Sequence, residues 1–539
     1  MFVYSKSTLF RLPVITHFLH FNMGTWFLIL ISTFLSLSIS VLLKFIFRRL
    51  CFINKNPPHH KLPPGPQPFP IISSFLWLRM SSSNMLSNLK SLHAKLGPIV
   101  TIYFGTRPTI FIADRSLAHK ALIQNGAIFS DRPPTSATTS IVSRIVGLSF
   151  YGPTWRLLRR NLTENMLNPS CVKSYSHSRW RVLQILKNRL ESQAESGYPV
   201  VVRDHFQYAM FCLLCIMCYG DNVDEIQIKV IKEVQERTLC NSHKFDILNF
   251  WPTLTKILLR RRWKEFLQLH KNRQDASIPL RRARKKLREE RTSKSSKSTK
   301  EYEHVVSYID TLLALEFPDE KRKLNEDEIA NLCHEFLIAG TRTTSTALEW
   351  IMANLVKYPQ IQEKLFMEIK GVVGNGNEEI QEGDVQKMSY LKAVILEGLR
   401  RHPPEHFVVP HAVTKDVVLD EYLIPKNASI NFMVAEMGLD PKVWEDPMAF
   451  KPDRILKIGS QELDITGSRE IKMMPFGAGR RICPAYRLAM LHLEYFLANL
   501  IWKYKWKAVG GDDVDLAEKL GRAGVPMKNP LQVNISPRF

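Results

Sequence analysis

Residues 475–496, "PFGAGRRICPAYRLAMLHLEYF", set one cysteine in a neighbourhood suited to chemistry. Gly477 and Gly479 permit a tight backbone turn that a β-carbon would obstruct. Cys483 then emerges beside the start of a helical pattern, where backbone N–H groups and the helix dipole favour thiolate. Arg480 and Arg481 add permanent positive charge for an anionic cofactor edge. A cysteine alone is more often inert core, so the spacing carries the signal.

A second stretch, "FLIAGTRTTSTALEW" at 336–350, reads as the middle of a long apolar helix weakened at one turn. Gly340, Thr341, Thr343 and Thr344 are poor residues for a helix centre, and Arg342 puts a permanent cation among them. Threonine hydroxyls can divert backbone carbonyls and bend the helix, opening a groove. Two weaker spacings complete the set. "EGLR" places Glu397 and Arg400 at i, i+3, an ion pair that alone is worth only about 0.2–0.5 kcal/mol. "WRLLR" places Trp155 and Arg159 one helical turn apart.

The elements that must position these residues are mostly helical. Asn325 and Glu328 make an N-cap and capping box, and Pro359 marks the far limit of a helix roughly 50 Å long. Short alternating pieces such as "VVLDEYLIP" suggest minor sheet, so the expected class is mainly α with small β-sheet regions. With 539 residues, 45% hydrophobic, the chain can form a large one-domain enzyme.

The net charge of +23 points to a negatively charged partner. No acidic residue precedes Asp114, and the basic cluster Lys44, Arg48, Arg49, Lys55 and Lys61 adjoins an apolar run, which favours lipid over nucleic acid. That run, Trp26–Leu43, is uncharged and about 18 residues long, near the lower limit for a bilayer span. The flanking charge places its C-terminal side in the cytoplasm, and no small-residue cleavage site follows. The expected organisation is a possible upstream extension or targeting segment at 1–22, a membrane anchor at 23–50, and a basic, proline-rich hinge at 51–66. A catalytic domain then fills 67–539. Leu28 stands where a myristoylation signal at Gly24 wants Ser or Thr.

The basic stretch Arg260–Lys300 reads as a solvated helix and loop. Cys212, Cys215 and Cys218 mimic a cluster-binding spacing, but no fourth cysteine is nearby in sequence, and they read as one face of a core helix. Eight cysteines in this length fit a reducing compartment. No Walker-type phosphate loop appears.

The glycines, arginine and cysteine of 476–485 resemble the haem-binding loop of the cytochrome P450 family, FxxGxRxCxG, as Phe476, Gly479, Arg481, Cys483 and Ala485, with alanine for the last glycine. The resemblance implies haem b with Cys483 as axial thiolate and metal ligand, and Arg481 pairing with a propionate. It also implies a family fold with an N-terminal transmembrane helix. "WRLLR" is similar to the family's propionate contact through Trp155 and Arg159, and His411 in "FVVPHAV" sits where relatives often have another partner. "EGLR" with "FKPDRI" looks like the family's buried Glu397–Arg400–Arg454 support. "AGTRTT" matches the oxygen-side motif, which implies that Gly340 leaves room for dioxygen and that Thr343 is catalytic.

Arg342 occupies that motif's acidic position. Guanidinium stays charged and only donates, so it cannot relay protons directly. Water and Thr343 then suffice with leakier turnover, or the chemistry needs no relay, as in hydroperoxide-rearranging relatives, or the enzyme is impaired. Wording such as "MKNPLQVNISPR" looks like plant microsomal members, nearest to family 89. The implied function is a monooxygenase acting on a small apolar or amphipathic molecule with O2. Its electrons come from NADPH through a cytochrome reductase, and no nucleic acid is involved. The implied location is the endoplasmic reticulum membrane, with the plastid envelope as alternative. The competing reading is a membrane-tethered haem protein that binds small molecules with negligible turnover.

Overall fold

The computed structural model describes residues 26–44, 61–66, 82–104, 107–519 and 524–539, apart from short gaps at 135, 137, 143, 222, 250–251, 296–304, 318–319, 375–378, 427, 460–462 and 512. The extension at 1–22 and most of the hinge lie outside these residues. The chain falls into two compact units, Met1–Lys61 and Leu62–Phe539.

The first unit contributes helix α1, Trp26–Lys44, 19 residues of mean hydropathy 2.3. By length and composition it can cross a bilayer. Polar residues inside it cost less than their number suggests. The Ser32 and Thr33 hydroxyls donate to the Ile29 carbonyl at 3.0 and 2.8 Å, leaving less polar surface unpaired.

The second unit is mainly helical, with four small sheets among the described residues. Six of its helices position the site: α2 (Pro153–Asn161), α3 (Val202–Tyr219), α4 (Arg260–Ser295), α5 (Glu326–Lys357), α6 (Ser389–Arg401) and α7 (Tyr486–Lys503). Helix α5 starts where the sequence places it. Glu328 N–H donates to Asn325 Oδ1, and Asn325 N–H returns a bond to the Glu328 carboxylate, each at 2.9 Å. Every residue of α5 from Thr344 to Val356 is buried, so this half is a shaft through the core. Each large apolar side chain buried there contributes about 1.5–3 kcal/mol.

Helix α3 packs along α5. Cys212, Cys215 and Cys218 are buried in it, and burial raises all three thiols, as expected for inert core residues. Among the described residues no group of three or more His, Cys, Asp or Glu could hold a metal ion. The fold does bring a fourth cysteine close, since Cys333 of α5 hydrogen-bonds Cys218.

Helix α4 covers most of the basic stretch, and solvation is not its whole story. Buried Arg281 and Arg284 reach Glu326 and Asp310, tying α4 to the start of α5 and to the short helix Tyr308–Ala314. The main sheet runs β1 (Ile99–Phe104), β2 (Arg107–Ile112), β4 (Ser429–Phe432), β3 (His411–Ala412) across its width. Strand β2 pairs parallel with β4, and β3 pairs antiparallel, with His411 opposite Ile430. The stretch "VVLDEYLIP", expected as minor sheet, forms a hairpin turning at Asp420 with φ 59°.

Candidate active site

The cysteine loop is held by its own backbone. Cys483 N–H donates to Phe476 O at 2.9 Å, and Gly477 N–H to Met474 O at 3.0 Å. Gly479 has φ +70°, and a β-carbon there would fall 2.1 Å from the Leu122 carbonyl oxygen, so both conformation and contact require glycine. Ala485 caps α7 with φ −98°, an ordinary conformation for alanine. Its N–H donates to the Cys483 sulfur. The departure from the family's final glycine therefore costs no backbone strain.

Cys483 is half-buried, and three influences act on its thiol. Burial pushes it up, while the Ala485 N–H and the Arg159 guanidinium pull it down. Trp155 and Arg159 lie together on α2, as their spacing predicts. Arg481 stacks over the Trp155 ring at 4.4 Å and donates to the Ser130, Val146 and Ser149 carbonyls. Buried His411 has its Nδ1 on Phe129 O at 2.7 Å. Burial, with Arg132 and Arg481 close by, pushes His411 down to about 3, so it stays neutral at physiological pH. Arg480 does not join this group. It is exposed and turns outward to the Tyr151 hydroxyl.

Arg132 is the member that sequence reading missed. It is buried, bonds Gly147 O at 2.6 Å and Val409 O at 2.8 Å, and is pushed down to about 9 by burial and by Arg481. Glu335 of α5 takes the other side of the same loop, accepting the Val146 and Gly147 N–H groups at 2.8 and 2.6 Å. Burial raises its carboxyl to about 7. The motif "SDRPP" signals only a turn, and nothing local shows that Arg132 enters a cationic group.

These residues fit a thiolate-ligated haem. Trp155 Nε1 is buried without a hydrogen-bond partner among the described residues. Arg159 is part-buried, and the anionic group its charge feels is Cys483. Arg481 opposes the protonation of Arg132, and Arg159 that of Arg481, which is the arrangement an anionic edge would relieve. One sulfur lies beside them. A model of the cytochrome P450 family matches residues 63–534. The chain belongs to the cytochrome P450 family. It is therefore a haem-thiolate oxidoreductase of the monooxygenase class.

Relatives agree. The chain is 48% identical over 523 residues to cytochrome P450 89A9 of Arabidopsis thaliana, covering 94% of this chain and 99% of that protein. It is 31% identical over 478 residues to geraniol 8-hydroxylase of Catharanthus roseus, covering 85% and 91%. It is 29% identical over 506 residues to the sarpagan bridge enzyme of Gelsemium sempervirens, covering 93% and 97%.

On α5 one position of the family motif also has a packing role. The space a β-carbon would take at Gly340 lies 2.7 Å from Leu214 Cδ1, so this glycine lets α3 approach α5. Thr343 Oγ1 donates to Ala339 O at 2.7 Å, one turn back on the same helix. Arg342 is half-buried and lies near Glu405 and Gly524.

One prediction follows from the loop. Gly479→Ala must move either the loop or the Leu122 backbone, and its positive φ adds strain of about 1–3 kcal/mol. Haem content per chain and the thermal midpoint should both fall. An unchanged haem content would show that the close approach does not matter.

Proposed function

We propose that this P450 inserts one oxygen atom from O2 into a small apolar or amphipathic molecule, using electrons delivered singly from NADPH by a cytochrome reductase. The observation carrying this reading is Cys483 held by the Ala485 N–H beside Trp155, Arg159 and Arg481. Cys483 would ligate the haem iron through its sulfur; Trp155, Arg159, His411 and Arg481 would hold the anionic edge of the haem; Phe476 and Gly479 would shape the loop. Haem b supplies dioxygen activation, and thiolate donation favours O–O cleavage. Thr343 keeps its hydroxyl proton on the Ala339 carbonyl and offers its lone pairs to water in the groove.

Helix α1 supports a single-pass anchor in the endoplasmic reticulum membrane, with the catalytic unit on the cytosolic side. The name of geraniol 8-hydroxylase supports hydroxylation as the reaction type. The reductase docks on a basic face near the loop, where Arg480 is exposed. The pocket draws on residues near 136–148, Ile338, 406–409 and 524–526; Arg522 lies outside the described residues. A haem protein that binds without efficient turnover is the second reading. Arg342, standing in the family's acidic position, favours it.

The test is a comparison of plant extract metabolites after incubation with the full-length protein and reductase, with and without NADPH. Consumption of one compound with a product 16 mass units heavier supports monooxygenation. A protein showing the thiolate–carbon monoxide band but no NADPH-dependent product in any extract sinks turnover in favour of binding.

A further inference from the structure

Several buried or part-buried arginines in this protein are answered by carboxylate oxygens close at hand. Arg179 meets Glu382 at 2.6 Å, Arg203 meets Glu349 at 2.9 Å, and Arg400 meets Glu397 at 2.7 Å. Arg342 has no such partner among the described residues. Its guanidinium makes no hydrogen bond or ion pair among the described residues, although it sits half-buried one residue from Thr343.

Its surroundings are built rather than loose. A β-carbon at Gly524, where φ is +93°, would lie 3.6 Å from Arg342 Nε and 3.6 Å from Glu405 Oε1. The glycine turn thus separates a cation from a carboxyl that does not close on it. Val525 N–H donates to Pro404 O at 2.8 Å, and Trp350 Nε1 of α5 donates to Val525 O at 2.7 Å. The turn is therefore fixed both to the loop carrying Glu405 and to the helix carrying Arg342. Burial pushes Glu405 up to about 7, against the Gly524 N–H and the charges of Arg342 and His406. It provides only part of a counter-charge near neutrality.

We propose that Arg342, Glu405 and the Gly524 turn anchor a carboxylate on the substrate, so that the enzyme takes small apolar monocarboxylic acids. This deepens the monooxygenase reading and rests on it. A carboxylate matches the planar guanidinium fork, and protonated Glu405 can donate to its remaining lone pairs. A phosphate would bring a second charge to a place with one cation and would face Glu405 as that group ionises. The groups facing Glu405 are Arg342, the Gly524 N–H and His406, the last paired with Glu518 at 3.1 Å. As pH rises, ionised Glu405 competes with the incoming acid for Arg342.

The test uses haem-loaded full-length protein in detergent and equilibrium dialysis. The probes are 4-phenylbutanoic, dodecanoic and 1-pyrenebutanoic acids, each against its methyl ester. At pH 6 at least one acid should bind about tenfold more tightly than its ester, the size expected of one charge-assisted pair. The preference should shrink by pH 8. It should vanish in Arg342→Gln, survive in part in Arg342→Lys, and lose its pH dependence in Glu405→Gln. No binding by any acid, equal binding of each pair, or a preference intact in Arg342→Gln overturns the site. The carbon monoxide spectrum of the same samples reports the haem-thiolate separately, so failure of the anchor is distinguishable from failure of the enzyme reading.

Discussion

Cys483→Ser abolishes the thiolate–carbon monoxide band and reduces NADPH-dependent turnover to background, while the polypeptide keeps its fold. The reason lies in what surrounds that sulfur. Cys483 is the thiol beside Arg159, and the Ala485 N–H donates to it. The other described cysteines cannot stand in. Cys212, Cys215, Cys218 and Cys333 are sealed in the α3–α5 core, Cys171 is only part-buried on another helix, and Cys240 is exposed. Serine is close in size, so folding stability should change by about 1 kcal/mol or less. It is a much weaker acid than a thiol and lacks the soft, electron-rich sulfur that favours O–O cleavage. Absorbance of the reduced, carbon monoxide-treated protein checks the ligand, and circular dichroism checks the fold. Persistence of the thiolate band in this variant would remove Cys483 from the proposed role.

Local chemistry explains why some of this was legible. Gly479 and Cys483 stand out because a tight turn and a thiolate each demand particular residue types at fixed spacing. The start of α5 was readable because its capping box spans only four residues, and the strand character around Asp420 was readable from equally local alternation. What escaped depends on distant partners. The packing role of Gly340 depends on Leu214 of α3, of which its own helix gives no hint. Arg480 and Arg481 are adjacent in a short turn, so no helical or strand period could tell which would point outward to Tyr151 and which inward to Trp155. Cys333 lies more than a hundred residues from Cys218, and only the packing of α3 on α5 joins them. Arg132 and Glu335 grip opposite sides of Gly147 from two unrelated segments.

The same distinction between local spacing and tertiary context sets the size of the effect at Glu397. In sequence, Glu397 and Arg400 are an ordinary i, i+3 pair; in the fold both side chains are wholly buried. Arg400 donates to both Glu397 oxygens, at 2.7 and 2.8 Å, and to the carbonyls of Gly438, Pro447 and Ala449. Glu397 also receives the Lys451 N–H at 2.9 Å and faces Arg454 Nε at 3.2 Å. One carboxylate thus compensates two arginines and pins the segment that leads toward the cysteine loop. Glu397→Gln keeps the shape but leaves Arg400 buried without its counter-charge, which costs about 3–5 kcal/mol. Removing both partners as Glu397→Gln with Arg400→Met should recover only part of this, because the three carbonyls then lose their donor. The exposed pair Glu233–Arg237, also within one helix, provides the control, and Glu233→Gln should leave the unfolding midpoint where it is. Thermal unfolding of the haem-loaded protein measures all three. A Glu397→Gln midpoint as little changed as that of Glu233→Gln would mean that the buried network holds neither the domain nor the loop.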